Sequence, residues 1–370
     1  MTSMKKRVRT MRRAIRVIPL PIIILAAGAL VAGAILLAPK PKATSTTSQQ
    51  PVPTLADVSN CSTSQNQFKC FADYFTAKTK ATEALEAIKD LKQLYETDAF
   101  VKSQCHQFTH AIGHEAYYKY GTLAGAYTKG DSFCWSGYYH GITEQAIGEL
   151  GPERMRKEAN QVCEELAKKQ KYSFDHYNCA HGLGHGFMTV ESFDLFKALK
   201  TCDLLRDEWE RKSCYGGVFM ENVMVAVRES GQSKYLRPAE PMYPCTAVEK
   251  VYKEQCYLMQ TSYALQQTSY DFGRVAKLCQ DLPDTDFVST CYQSLGRDAS
   301  GSTVSDIPKT KENCEKALDG VGLEPCVLGA VRDFISFHHS DTQAKELCNA
   351  FDQALAARCL EEVKTYYATF

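Results

Sequence analysis

Several short motifs that would identify a chemistry are missing from this chain. None of its 16 cysteines forms a CxxC pair, which argues against zinc ribbons and thioredoxin-like sites. The sequence contains no HExxH, CxxCH, GxSxG or Walker motif, and no GxGxxG after a strand pattern. Zinc peptidases of the HExxH class, c-type cytochromes, α/β-hydrolases and the common nucleotide-binding folds are therefore not predicted.

Acidic residues are absent from the first 42 positions, which carry nine Lys or Arg residues. The formal net charge of zero hides an acidic body, because positions 43–370 contain 34 basic and 43 acidic residues. A body of this sign lacks the basic face that binds phosphate backbones. Nucleic acid is accordingly not predicted as a partner.

Charged residues are also absent from positions 17–38, a run of 22 mostly apolar residues preceded by seven basic ones. A helix rises about 1.5 Å per residue, so this run can cross a hydrocarbon core of about 30 Å. The basic flank predicts a cytoplasmic amino terminus and an exported remainder, in the periplasm or at the cell surface. A cleaved signal peptide is the alternative, but the run is long for one and the LLAPKPK at its end is a poor cleavage site.

The distribution of charged and apolar residues divides the chain into four parts. Residues 1–16 are predicted to form a basic cytoplasmic tail, and residues 17–38 a single transmembrane helix that anchors the protein in the membrane. Residues 39–65, rich in Pro, Ser, Thr and Gln, are predicted to form a flexible linker. Residues 66–370 are predicted to form the extracytoplasmic domain.

All 16 cysteines lie beyond residue 60, on the predicted outer side of the membrane. A dense, even-numbered set in an exported region predicts disulfides. The pairing of Cys61, Cys70, Cys105 and Cys134 stays open. The other twelve fall into close pairs at positions 163/179, 202/214, 245/256, 279/291, 314/326 and 348/359.

The second members of these pairs recur at intervals of 33 to 42 residues, a period typical of stacked helical hairpins. Strand-like alternation is scarce, whereas apolar residues recur at helical intervals. The sequence thus predicts an all-α fold of disulfide-stapled helical-hairpin repeats, solenoid-like or toroid-like, with each cysteine pair joining the two helices of a hairpin. In the repeat period and in the disulfide within each hairpin, the chain is similar to cysteine-stapled repeats of the tetratricopeptide and Sel1-like kind. The Trp/Gly/Tyr pattern of tetratricopeptide repeats is absent from the sequence.

Histidine is unevenly distributed, and seven of the nine lie between His106 and His185. The segments CHQFTHAIGHEA, CWSGYYHGITEQ and CAHGLGHGFM place histidine or glutamate four positions after histidine, which is one face of a helix. If the hairpins stack in register, these faces meet. Glycine inside a helix costs about 1 kcal/mol, so the glycines around these histidines indicate that the helices approach closely.

We interpret this cluster as an extracytoplasmic transition-metal site. Imidazole and carboxylate ligands suit zinc, copper or iron, and spacing does not distinguish them. Ala111 and Gly182 occupy the positions of the HExxH glutamate, so the water-activating base of the zinc peptidases is missing at its usual place. Catalysis by a metal with an open position and a nearby carboxylate stays open, and no substrate is predicted. The predicted ligands are His106, His110, His114, His140, His181 and His185, with Glu144 or Glu115 as a ligand or general base.

Three alternatives remain open for the cluster: a structural hydrogen-bonded network, a pocket for a small molecule or peptide, and a pH sensor. If the histidines are structural, the protein is an interaction scaffold at the cell surface. The repeat surface would then bind a peptide, glycan or protein ligand. Tyr257, Tyr263 and Tyr270 form a row that is predicted to belong to the core rather than to such a surface.

Overall fold

The computed structural model describes residues 51–224, 233–317 and 321–370. The predicted cytoplasmic tail and transmembrane helix lie outside the described residues, so both remain predictions. Among the described residues, no helix has both the length and the apolar character needed to span a membrane.

Every regular element in the described ranges is helical, which confirms the all-α prediction. Short 3-10 turns lie at Leu55–Val58, Cys61–Thr63 and Thr285–Phe287. The α-helices are α1 (Gln67–Ala81), α2 (Ala84–Thr97), α3 (Ala99–Tyr120), α4 (Leu123–Tyr127), α5 (Gly137–Val162), α6 (Glu164–Lys169), α7 (Phe174–Val190), α8 (Leu195–Cys202), α9 (Glu208–Met224), α10 (Lys250–Gln267), α11 (Phe272–Gln280), α12 (Val288–Thr303), α13 (Ile307–Glu315), α14 (Leu323–His338), α15 (Thr342–Asn349) and α16 (Gln353–Tyr367).

The folded domain begins inside the segment predicted as linker, residues 39–65. Val58 and Cys61 are buried, and Cys61 forms a disulfide with Cys70 of α1. The Pro- and Ser-rich composition indicated flexibility, but one buried side chain and one covalent bond hold this part of the segment against the helices.

Aspartate marks the start of several helices. Asp194, Asp271 and Asp306 precede α8, α11 and α13, and each carboxylate accepts a hydrogen bond from the backbone N–H three positions later. These bonds satisfy backbone donors that have no partner within the helix, and one such cap is worth about 1 kcal/mol. The caps therefore fix the residue at which each of these short helices begins.

The helices form two rows. The longer helices pack in sequence, each against the next, in the order α3, α5, α7, α9, α10, α12, α14 and α16. The shorter helices α11, α13 and α15 contact one another in a second row. This arrangement is the stacked hairpin predicted from the cysteine period.

The array closes on itself. The Trp135 indole N–H, just before α5, donates to Asp333 of α14 at 3.0 Å. The backbone N–H of Phe174, at the start of α7, donates to the carbonyl oxygen of Thr369 at 2.9 Å, and the Phe174 ring stacks on Phe370. Of the two predicted arrangements, the repeat domain therefore adopts the toroid-like one.

Eight disulfides join the described cysteines, with Cα–Cα distances from 5.4 to 5.9 Å. All six predicted pairs are confirmed, and the other four cysteines pair as Cys61–Cys70 and Cys105–Cys134. Four of the predicted pairs join a short helix to the following long one. The exceptions are Cys163, at the junction of α5 and α6, and Cys245, which lies outside any helix.

Candidate metal centre

Glycine lets the helices that carry the histidines approach closely. A Cβ atom on Gly184 of α7 would overlap the carbonyl oxygen of Cys214, and one on Gly217 of α9 would overlap that of His181. Gly113 and Gly141 have the same relation between α3 and α5, and so do Gly296 and Gly329 between α12 and α14. No histidine lies among the contacts of the last pair, so close helix packing is a feature of the repeat, and the histidine cluster lies at one place where it occurs.

Five imidazole rings from α3, α5 and α7 meet where these helices pack. Neighbouring ring centroids are 4.7 to 6.3 Å apart. All five side chains are buried. The hairpins thus stack in the register that the sequence predicted. Their packing brings together His106, His110, His140, His181 and His185.

One group of three histidines can hold an ion within this cluster. His106, His140 and His185 each offer a nitrogen atom, and these atoms lie within 4.8 Å of one another. Nδ1 of His185 donates to the Glu221 carboxylate at 2.8 Å, which leaves Nε2 as the atom with a lone pair. That Nε2 atom and Nδ1 of His140 are buried and have no hydrogen-bond partner in the described part of the chain.

A second group lies beside the first. His110, His114 and Glu144 also present ligand atoms within 4.8 Å of one another. One Glu144 oxygen contacts Nδ1 of His110 at 3.1 Å and Nε2 of His114 at 3.0 Å. The other accepts from the Thr189 hydroxyl at 2.9 Å. Glu144 thus orients both imidazoles, which is the usual role of a carboxylate behind metal-binding histidines.

The two groups meet at an unusual contact between His106 and His110, whose Nε2 atoms are 3.1 Å apart. Nδ1 of His106 lies 2.8 Å from the carbonyl oxygen of Cys134, which can only accept, so this nitrogen carries the proton. Nδ1 of His110 donates to Glu144 in the same way. In neutral rings both Nε2 atoms then present lone pairs to each other, and this arrangement is favourable only with a cation beside them.

The protein environment disfavours a proton as that cation. Burial, followed by the effect of neighbouring histidines, lowers the pKa of His106 and His140 well below the usual range. Burial also lowers the pKa of His110 to about 4, although Glu144 opposes the shift. Burial would raise the pKa of Glu144, but hydrogen bonds from His110 and His114 hold it well below its usual range. At neutral pH the imidazoles of His106, His110 and His140 are therefore neutral and Glu144 is ionised, and such groups are suitable metal ligands.

The other predicted residues lie at the margin. The His181 ring packs against His140 and His185, but its nitrogens contact the Tyr177 hydroxyl at 3.2 Å and the Met220 sulfur at 3.3 Å. It belongs to neither three-residue group. Glu115 is half-buried and also lies outside both groups.

The remaining histidines are not part of the cluster. His176 donates from Nε2 to Glu210 at 2.8 Å, and its Nδ1 accepts from the backbone N–H of Tyr172. His339 packs between the Phe174 and Phe370 rings.

The contact of Glu221 with His185 had only a weak signal in the sequence, which is the distance of seven positions between Glu221 and Cys214.

Comparisons of the chain with protein-family models, with curated proteins and with solved structures gave no match.

Proposed function

We propose that this protein is a membrane-anchored, extracytoplasmic metal-binding protein whose buried histidine cluster holds a transition-metal ion. The ligands of the principal ion are His106, His140 and His185. His110, His114 and Glu144 form the adjoining group, in which Glu144 orients both imidazoles. Zinc, copper and iron all suit these nitrogen and oxygen donors.

The facing Nε2 atoms of His106 and His110 carry this proposal. Two neutral imidazoles whose other nitrogens both donate cannot form a hydrogen bond with each other, so a purely structural network would leave this contact unfavourable. An ion that accepts the buried lone pairs removes this conflict. It also accounts for the buried His185 Nε2 and His140 Nδ1 atoms, which have no hydrogen-bond partner among the described residues.

The extracytoplasmic location rests on two features. Eight disulfides are typical of an oxidising compartment. The uncharged segment 17–38, with its basic flank, is the proposed single membrane anchor and directs the domain outward.

Metal analysis of the full-length protein, purified in detergent with its disulfides intact, tests the proposal. After exposure to Zn²⁺, Cu²⁺ or Fe²⁺ and desalting, we expect at least one ion per chain. His185→Gln is expected to abolish stoichiometric binding because it removes a ligand from the principal group. His176→Gln is the matched control, since His176 is equally buried in the same helix and also pairs with a glutamate outside the cluster.

Two results would contradict this function. Wild-type protein that is folded and free of metal under all three conditions would favour the scaffold alternative. Equal loss of metal in both variants would show that binding follows overall stability rather than the cluster.

Removal of the Glu221 charge is expected to weaken metal binding without abolishing it. Glu221 accepts from Nδ1 of His185, so it selects the tautomer with a lone pair on Nε2 and raises the basicity of that atom. In Glu221→Gln we expect a 10- to 100-fold larger metal dissociation constant, a range of about one to two orders of magnitude for such partners. Competition with a chelator measures the change. Glu210→Gln, which alters the partner of His176, should bind the ion as wild type does.

A further inference from the structure

A cavity of about 380 Å³ lies at the centre of the ring of helices. This volume is within the range of about 300 to 1,000 Å³ that is typical of small-molecule sites. Residues of α5, α7, α9, α10, α12, α14 and α16 line it, and His140 and His181 form one of its edges. A molecule in the cavity would therefore lie beside the histidine cluster.

Aromatic rings form much of the wall. The chain has only two tryptophans, Trp135 and Trp209, and both line this cavity. Tyr172, Tyr177 and Tyr366 add further rings. Trp209 is held by Tyr172 and by the His176 ring, with centroids 5.0 and 4.9 Å away. The walls thus offer rigid, flat faces to a ring-shaped ligand.

The polar groups of the cavity are mostly uncharged, its two arginines are paired with carboxylates, and Asp333 adds one acidic group that forms no ion pair among the described residues. Arg297 pairs with Asp298 at 2.8 Å, and Arg332 pairs with Glu362 at 2.6 Å. This balance provides no strong field for a phosphate or a polycation. The uncharged polar residues are Ser136, Ser173, Asn178, Gln255, Gln293, Ser294, Ser336 and Thr369.

Buried polar atoms of the wall without a hydrogen-bond partner among the described residues include His140 Nδ1 and Asn178 Oδ1, and the wall also contains one buried carboxylate. Asp333 is 5% exposed, and its Oδ1 accepts from the Trp135 indole. Its Oδ2 is buried, and the Ser300 hydroxyl is the neighbouring donor that acts on this carboxylate.

The backbone that presents Trp135 is strained. Cys134, Trp135 and Ser136 have φ values of 56°, 55° and 60°, in the left-handed region that non-glycine residues rarely adopt. The Cys105–Cys134 disulfide and the bond to Asp333 hold this conformation. Positive φ values also occur in the turns at Ser192 and Phe193, at Ser269 and Tyr270, and at Val304 and Ser305, so this conformation is a feature of the turns of the repeat. The same segment supplies the Cys134 carbonyl that orients His106.

We propose that the central cavity binds a single saccharide ring. A pyranose has a face of C–H bonds, slightly positive, that stacks on the negative face of an aromatic ring. Its hydroxyls donate to carboxylate and amide oxygens at the edges. The aromatic walls and the neutral amides and hydroxyls match this chemistry. Only the statement that the bound saccharide lies near a metal ion rests on the proposed function. Binding of the saccharide in the cavity is independent of it.

Tryptophan fluorescence tests this proposal, since both tryptophans line the cavity. Full-length protein in detergent is titrated with the methyl glycosides of glucose, galactose, mannose and N-acetylglucosamine, and calorimetry provides the affinity. We expect saturable binding of at least one glycoside. In Trp209→Ala we expect roughly tenfold or greater weakening, the usual result of removing a stacking tryptophan. Tyr118→Ala, an exposed aromatic residue absent from the cavity wall, should bind as wild type does.

The outcomes separate this proposal from the metal function. Absence of saturable binding by all four glycosides in folded, metal-loaded protein would overturn the saccharide proposal and leave the metal centre intact. The same holds if Trp209→Ala and Tyr118→Ala bind alike. Glycoside binding that persists after chelation, with no metal bound by the wild type, would support the cavity and remove the metal function.

Discussion

Alanine at Gly217 is expected to destabilise the protein by about 3 kcal/mol, at the upper end of the usual cost of overpacking a core. A Cβ atom there would overlap the carbonyl oxygen of His181 and crowd Gly184, so α7 and α9 would have to separate. Because both obstacles are backbone, no rotamer change can relieve them. The displaced α7 carries His181 and His185, so metal binding should weaken as well.

The same substitution at Gly148 provides the matched control. Gly148 lies within α5, and nothing is within 4 Å of the position that its Cβ atom would occupy. Alanine there is expected to stabilise the protein by about 0.5 to 1 kcal/mol, through its higher helix propensity. Denaturant unfolding of both variants, with disulfides intact, gives the two free energies. A Gly217→Ala variant as stable as Gly148→Ala would show that the helices are not packed at backbone contact.

Asparagine at Asp333 is expected to stabilise the ligand-free protein at neutral pH by about 3 kcal/mol. Burial raises the pKa of Asp333 to about 6 from 3.8, and the opposing effects of Ser300, Arg297 and Trp135 only partly offset it. A shift of this size corresponds to about 3 kcal/mol of difference between the protonated and charged forms. Asparagine keeps an oxygen to accept from the Trp135 indole and removes the buried charge.

The direction of the pH dependence follows from the raised pKa. Between pH 4 and 6 the folded state binds a proton that the unfolded state releases, so the contribution of Asp333 is most favourable below about pH 4. It is lost as the pH rises through 6. The gain from Asp333→Asn should therefore be large at pH 7 and vanish near pH 4.

Equilibrium unfolding at a series of pH values measures this difference. Asp73→Asn is the control, because Asp73 has a side chain that is 65% exposed and its loss should change the free energy little at either pH. A gain from Asp333→Asn that is the same at pH 4 and pH 7 would mean that the carboxylate is not held in a poorly solvated site.

Short-range patterns in the sequence were sufficient to predict much of this protein. Helical periodicity and cysteines 11 to 16 positions apart involve neighbouring residues, so they specify each hairpin and its disulfide without knowledge of the rest of the chain. The same applies to the histidine pairs four positions apart, which lie on one helix face by geometry alone. The equal spacing of the repeats further predicted that the histidine faces of three helices meet.

Tertiary structure decided what depends on long-range placement. Closure of the ring brings Trp135 to Asp333, 198 positions away, and this depends on small rotations that accumulate over every repeat. Only the packed helices determine that His106, rather than His181, shares a ligand group with His140 and His185, and that Glu221 supports His185. Local spacing specifies the helix face on which a side chain lies. Its partner on the neighbouring helix depends on the separation and rotation of the two helices, and no pattern of neighbouring residues encodes these quantities.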